Sequence, residues 1–251
     1  MIRLKALIAY DGTDFYGWQV QKDHPTIQST LTAAIKQICG EEITVTGAGR
    51  TDTGVHAYGQ VAHIDWEHDL PIDRLQFALN SVLPESIRIR TLEDAAPEFH
   101  ARFDAKSKIY LYRIDRDRAY NPFLHRFALQ YYSPLDEELM NQAARLLLGE
   151  HDFIAFSATG TDVVTTRRTV TRVELSPEVI EPFSDSRILS FRIEANGFLR
   201  KMVRFIVGTI LEIGSGKRPI ADLQRALEMG DKSGVGIPAA AKGLFLEKVF
   251  Y

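Results

Sequence analysis

One stretch of this chain has side chains suited to chemistry: the polar, glycine-rich run Gly47-Ala48-Gly49-Arg50-Thr51-Asp52-Thr53-Gly54-Val55-His56-Ala57, wedged between two apolar segments. Asp52 offers a carboxylate, which is ionised at neutral pH and can serve as a nucleophile or a base. The glycines let the backbone turn tightly and let a substrate come close. The run is not a dinucleotide fingerprint, because the Gly-x-Gly-x-x-Gly spacing fails at Asp52. Gly216-Lys217 likewise lacks the earlier glycine and the following hydroxyl residue of a phosphate-binding loop. A plainer alternative is a hairpin turn in which Asp52 caps backbone N–H groups, and spacing alone favours it.

Other groups bear on the same question. Tyr110 and Tyr112 alternate along an aromatic segment, and either suits a core strand as well as a base-stacking site. Arg204 sits among Met202, Val203, Ile206, Val207 and Ile210, where a guanidinium must be paired or must reach out to solvent. Basic clusters occur at Arg113, Arg116 and Arg118, at Arg167, Arg168 and Arg172, at Arg200-Lys201, and at Lys217-Arg218. Each alone describes a solvated face. The single cysteine, Cys39, and seven histidines without a His-x-x-x-His pair leave no recognisable metal set, so neither metal nor cofactor is expected.

These residues need a scaffold, and apolar periodicity predicts one. Residues 3–10 read as a strand, and residues 26–39 carry Ile27, Leu31, Ala34, Ile35 and Ile38 at helical spacing before Gly40. Strands at 43–47 and 58–66, a helix opened by Pro71 and a strand from Ile87 complete a β-α-β-β-α-β order. A similar order follows: strands at 107–116 and 127–132, a helix through Leu139, Ala143, Leu146 and Leu147, and strands at 168–175 and 187–195. Helices at 199–213 and 220–229 and a strand at 244–250 complete it. The expected fold is α+β: two ferredoxin-like halves with adjoining, mostly antiparallel sheets and a central catalytic cleft. Residues 1–103 would carry the aspartate loop, and residues 104–251 the tyrosine and arginine.

Composition bounds the class. The chain has 251 residues, 45% hydrophobic and 25% charged, which is the globular average. No apolar run approaches the roughly 18 residues of a membrane helix, and the opening Met1-Ile2-Arg3-Leu4-Lys5 has charges where a signal peptide is apolar. The expected setting is the cytoplasm, without a membrane partner. A net charge of −3 gives no general attraction to nucleic acid, so an RNA site must be a local patch.

Gly49-Arg50-Thr51-Asp52-Thr53-Gly54-Val55-His56-Ala57 resembles the signature of the TruA family of tRNA pseudouridine synthases. Three further segments match in order: Tyr10-Asp11-Gly12-Thr13-Asp14-Phe15-Tyr16-Gly17-Trp18-Gln19, Phe99-His100-Ala101-Arg102-Phe103 leading into Tyr110-Leu111-Tyr112, and Asn196 through Arg204. Gly197 departs from the alanine of the family pattern. The resemblance implies isomerisation of uridine to pseudouridine at positions 38, 39 and 40 of the tRNA anticodon stem-loop, by a cytoplasmic homodimer without cofactor. It implies that Asp52 is the catalytic aspartate, that Tyr110 is the active-site tyrosine, that Arg204 pairs with Asp52, and that Arg50 holds the target nucleotide open. Phe15, Tyr16 and Trp18 either cover the site or pack in the core. The route stays open among addition to the base, attack on the sugar and removal of a ribose proton.

Two other classes compete. A non-catalytic RNA-binding module would display aromatics at strand centres and would not need Asp52. A glycoside hydrolase would need a second carboxylate at a fixed distance from Asp52, and none stands out.

Overall fold

The computed structural model describes residues 1–119, 121–158, 164–181 and 187–251. They form two compact units, Met1–Lys106 with Phe245–Tyr251, and Ser107–Leu244.

The first unit is built from β1 (Ile2–Tyr10), α1 (Ile27–Cys39), β2 (Thr46–Gly47), β3 (His56–Trp66), α2 (Ile72–Val82) and β4 (Ile87–Ala95). Leu4, Ala6, Ile8 and Tyr10 alternate into the core along β1, as a half-buried strand requires. In α1 the buried positions Ile27, Leu31, Ala34 and Ile35 make one apolar stripe. A Thr26–Ser29 capping box starts this helix, and Gly40, at φ 82°, ends it in the left-handed region. β1 runs antiparallel to both β3 and β4. β2 pairs with β3 at Thr46↔His63 and Gly47↔Ala62, which makes the strand order β4-β1-β3-β2 of a ferredoxin-like sheet.

The second unit contains β5 (Ser107–Asp115), β6 (Leu129–Gln130), α3 (Glu137–Arg145), β7 (Gly149–Asp152), β8 (Arg167–Glu178), β9 (Ile188–Ala195), α4 (Met202–Gly214) and α5 (Ile220–Met229). Its antiparallel ladders run β5-β9-β8-β7. β10 (Leu244–Phe250) closes the chain and pairs in parallel with β3 of the first unit, Phe245 opposite His56 and Leu246 opposite Ala57. The long periodic segments become the expected elements, and the overall class is α+β with mostly antiparallel pairing.

Departures cluster where periodicity is weak. The strand expected at 43–47 shrinks to Thr46–Gly47, since Glu41, Glu42 and Thr44 face solvent. The strand expected at 127–132 shrinks to Leu129–Gln130. β7, sequence Gly-Glu-His-Asp, has no apolar pattern and exists through its ladder with β8. α4 starts at Met202 rather than 199, because Lys201 has φ 63° and leaves the helical path.

Candidate active site

Residues 48–55 span the gap between β2 and β3, and the first unit pins their backbone at nearly every step. Ala48 N–H donates to Val61 O at 2.7 Å, and the Gln60 side-chain amide donates to Gly49 O at 2.9 Å. The Tyr10 hydroxyl lies 2.8 Å from Thr51 Oγ1, while Trp18 N–H donates to Thr51 O at 3.0 Å. Val55 N–H closes a turn on Asp52 O at 3.1 Å. Two glycines of the segment after β1 make this approach possible: a Cβ on Gly17 (φ 82°) would stand 2.4 Å from Thr51 O, and one on Gly12 would stand 2.0 Å from Val55 O. Asp52 is half-buried at the centre of this frame, between buried Thr51 and exposed Thr53.

Arg50 is exposed, and its Nε donates to Gln19 Oε1 at 3.0 Å. Gln19 Nε2 donates to Gln28 Oε1, and Gln28 Nε2 donates to Val45 O, at 2.7 and 2.8 Å. The three bonds run in one direction from guanidinium to backbone, which fixes both amide orientations and holds Arg50 at the rim of the loop. Phe15 and Trp18 are buried, whereas Tyr16 is exposed and stacks on His24 with ring centroids 4.0 Å apart.

At the other end of the loop, buried His56 stacks on Phe245 with centroids 4.7 Å apart. Gly12 N–H points at His56 Nδ1 from 3.0 Å, and Asp11 Oδ1 lies 3.1 Å from the same nitrogen. One ring nitrogen cannot accept from the amide and donate to the carboxylate at once, so which contact is a hydrogen bond depends on whether Nδ1 carries the proton. Burial by itself would raise the Asp11 carboxyl, but hydrogen bonds from His56 and from the Thr13 hydroxyl and amide outweigh it, and the net shift is well below the usual carboxylate range. A depressed carboxyl stabilises the fold above its unfolded-state pKa and loses that contribution as pH falls toward the folded value. Asp11→Asn should therefore cost about 1 kcal/mol near neutrality. The difference from wild type in urea melts should shrink progressively below about pH 4.

In the second unit, Tyr112 is fully buried and its hydroxyl donates to Ala240 O at 2.8 Å. Burial pushes its phenol upward, against the opposing charge of Arg204. Tyr110 meets the Phe198 ring edge-on at 4.9 Å. Arg204 is half-buried on α4, and its Nε donates to Ala239 O at 2.7 Å while Ala239 N–H donates back to Arg204 O at 2.9 Å. The segment that holds it lies tightly on the helix, since a Cβ on Gly208 would stand 1.8 Å from Ile237 O. A Cβ on Gly197 would meet only the Arg168 side chain, at 3.3 Å, so a methyl there asks a flexible group to shift.

Several basic clusters turn out to be internally paired. Arg113 bonds Glu178 through two nitrogens, at 2.9 and 2.7 Å, and Arg218 reaches Glu212 and Asp222. Arg167 and Arg172 pair with Glu150 and Glu174 at more exposed positions. These acidic partners offset the positive charge of the clusters. Among the described residues, no group of three or more His, Cys, Asp or Glu side chains could hold a metal ion. No described helix is long and apolar enough to cross a membrane.

Sequence reasoning singled out Asp52 and Arg50 but missed the groups that brace their loop: Tyr10, Asp11 and Gln60. The signal for Gln60 was available, as a lone amide inside the apolar run Val55–Trp66.

Comparison with known proteins agrees with the motif resemblance. The sequence model of the family described as tRNA pseudouridine synthase matches residues 6–104 and 143–251. Relatives named tRNA pseudouridine synthase A include that of Brevibacillus brevis, 46% identical over the full length of both chains. Those of a Geobacillus species and of Streptococcus mutans are 42% and 38% identical, covering 99% and 100% of this chain and 98% and 99% of their own. With matches across both units and the whole length, this chain belongs to the tRNA pseudouridine synthase family of isomerases.

Proposed function

We propose that this enzyme converts uridine to pseudouridine at positions 38, 39 and 40 of the tRNA anticodon stem-loop, with Asp52 as the essential carboxylate. The observation that carries this reading is the half-buried Asp52, displayed on a loop whose backbone is pinned on both sides of it. The isomerisation breaks the bond from uracil N1 to the ribose and forms one from C5, with loss of the C5 proton and gain of a proton at N1. It needs no oxidant, reductant or second substrate. Arg50 reaches the target nucleotide from the rim of the loop, and Arg204 supplies the guanidinium that partners the carboxylate. Mapping of pseudouridine by mass spectrometry in unmodified tRNA incubated with the purified protein tests this directly. New pseudouridine confined to positions 38–40 is expected. Modification elsewhere would overturn the site assignment, and none at all would overturn the activity.

Tyr110 is the tyrosine that stacks on the extruded uracil and handles a proton in the later steps. Tyr112 spends its hydroxyl on Ala240 O, a structural use that supports the choice of Tyr110 for the chemistry. Tyr110→Phe should keep tRNA binding within about twofold and lower the single-turnover rate by on the order of 10². Tyr112→Phe should instead cost about 1 kcal/mol of stability, by removing the bond from a buried hydroxyl to the Ala240 carbonyl, with the rate retained. The opposite pattern would reassign the role.

The working form is a cytoplasmic homodimer with one tRNA lying across both subunits, because one chain with net charge −3 gains phosphate contacts from a second copy. Light scattering that finds a fully active monomer at micromolar concentration would refute this.

A further inference from the structure

Beneath the Asp52 loop lies a buried polar layer that the reaction itself does not call for. Tyr10 ends β1 and is 5% exposed, Gln60 lies in mid-β3 and is 0% exposed, and Thr51 is 7% exposed. The Tyr10 hydroxyl meets Thr51 Oγ1 at 2.8 Å, and the Gln60 amide nitrogen meets Gly49 O at 2.9 Å. These two bonds grip the residues on either side of Arg50, directly before the aspartate. Burial pushes the Tyr10 phenol up to about 12, against the lowering effect of its hydrogen bonds with Thr51 and Gln60, so it stays protonated and available to donate.

Stability alone does not account for this choice of residues. Replacing both partners of a buried hydrogen bond by apolar groups of the same shape is close to neutral, and phenylalanine and valine would fill the Tyr10 and Thr51 sites. Gln60 also carries a cost, since its buried Oε1 has no hydrogen-bond partner among the described residues. What the polar layer supplies is direction: it fixes where the Gly49 carbonyl and the Thr51 side chain sit, and so the angle at which the chain enters Asp52. Catalytic groups must be held to about 0.5 Å, and an error of about 1 Å costs on the order of 10²-fold in rate.

We propose that Tyr10 and Gln60 are positioning residues for the isomerisation, acting through Thr51 and Gly49 to hold Asp52 at its productive geometry. The inference rests on the reading of Asp52 as the catalytic carboxylate. Neither residue is assigned contact with the nucleotide.

The test measures single-turnover pseudouridine formation, tRNA Kd and thermal melting for the full-length protein with Tyr10→Phe, Thr51→Val, Thr51→Ser, Gln60→Met and the Tyr10→Phe/Thr51→Val double variant. Tyr10→Phe, Thr51→Val and Gln60→Met should each slow the single-turnover rate about tenfold, with tRNA Kd within twofold of wild type. The double variant should be no slower than its slower parent, because both changes remove one shared bond. Thr51→Ser, which keeps the hydroxyl, should recover most of the rate lost in Thr51→Val. Rates within twofold of wild type for folded Tyr10→Phe and Thr51→Val would overturn the proposal, as would losses that multiply in the double variant. Weakened tRNA binding at an unchanged rate would also overturn it, by making these residues part of the binding surface. An Asp52→Asn control that remains active would instead refute the catalytic reading, and the inference with it, so the two failures are distinguishable.

Discussion

Asp52→Asn is expected to abolish pseudouridine formation while leaving a folded protein that still binds tRNA. The amide nearly matches the carboxylate in size, yet it is neither charged nor nucleophilic, so it removes the reactive group without creating a cavity. The loop should keep its shape, because several of its anchors do not involve the Asp52 side chain: Gly49 O on Gln60, Thr51 on Tyr10 and Trp18, and the Asp52 backbone carbonyl on Val55 N–H. The melting temperature and tRNA affinity should therefore stay close to wild type. The single-turnover rate should fall by on the order of 10³ or more. Activity above a few per cent of wild type would show that the carboxylate is not essential. Loss of tRNA binding together with activity would point to a structural role for it.

Replacing Arg204 should have the second largest effect. This arginine is half-buried on a helix whose neighbouring positions Met202, Val203, Ile206 and Val207 are all buried, a setting in which a guanidinium is costly unless its donors are used. Ala239 O takes the Nε donor at 2.7 Å and so fixes the plane of the group. A planar fork oriented in this way can bond a carboxylate through two nitrogens, which lysine cannot imitate. Arg204→Lys should fold normally and lose on the order of 10² in single-turnover rate, and Arg204→Ala should lose more, with about 1 kcal/mol of stability from the orphaned Ala239 carbonyl. Salt dependence separates the roles. A phosphate contact would weaken tRNA binding and lower the slope of log K against log salt by about one unit, while a partner of the carboxylate changes the rate and leaves that slope alone. A wild-type rate in Arg204→Lys with the reduced slope would make Arg204 a phosphate contact.

The family, the α+β class, the longer elements and the loop that bears Asp52 are all legible in the chain's residues. Those features are local. An amphipathic stripe such as Ile27, Leu31, Ala34 and Ile35, or a polar run with three glycines between two strands, is written in consecutive residues and can be read without knowing what lies opposite. Tertiary structure decided whatever depends on partners remote in the chain. β7 exists only because β8 offers it a ladder, and β10 joins the first unit because Phe245 and Leu246 find the free edge of β3 beside His56 and Ala57. That the Tyr112 hydroxyl is held by the carbonyl of Ala240, 128 positions away, is likewise invisible in the sequence. The support of the Asp52 loop is the strongest case. Strand pairing sets Tyr10 beside Ala57 and Ile8 beside Gln60, and this register brings a tyrosine from the first strand and a glutamine from the third beneath Thr51 and Gly49. A one-residue slip of β1 would turn Tyr10 to the opposite face of the sheet, so its role belongs to the register of the folded sheet and to no segment of the sequence alone.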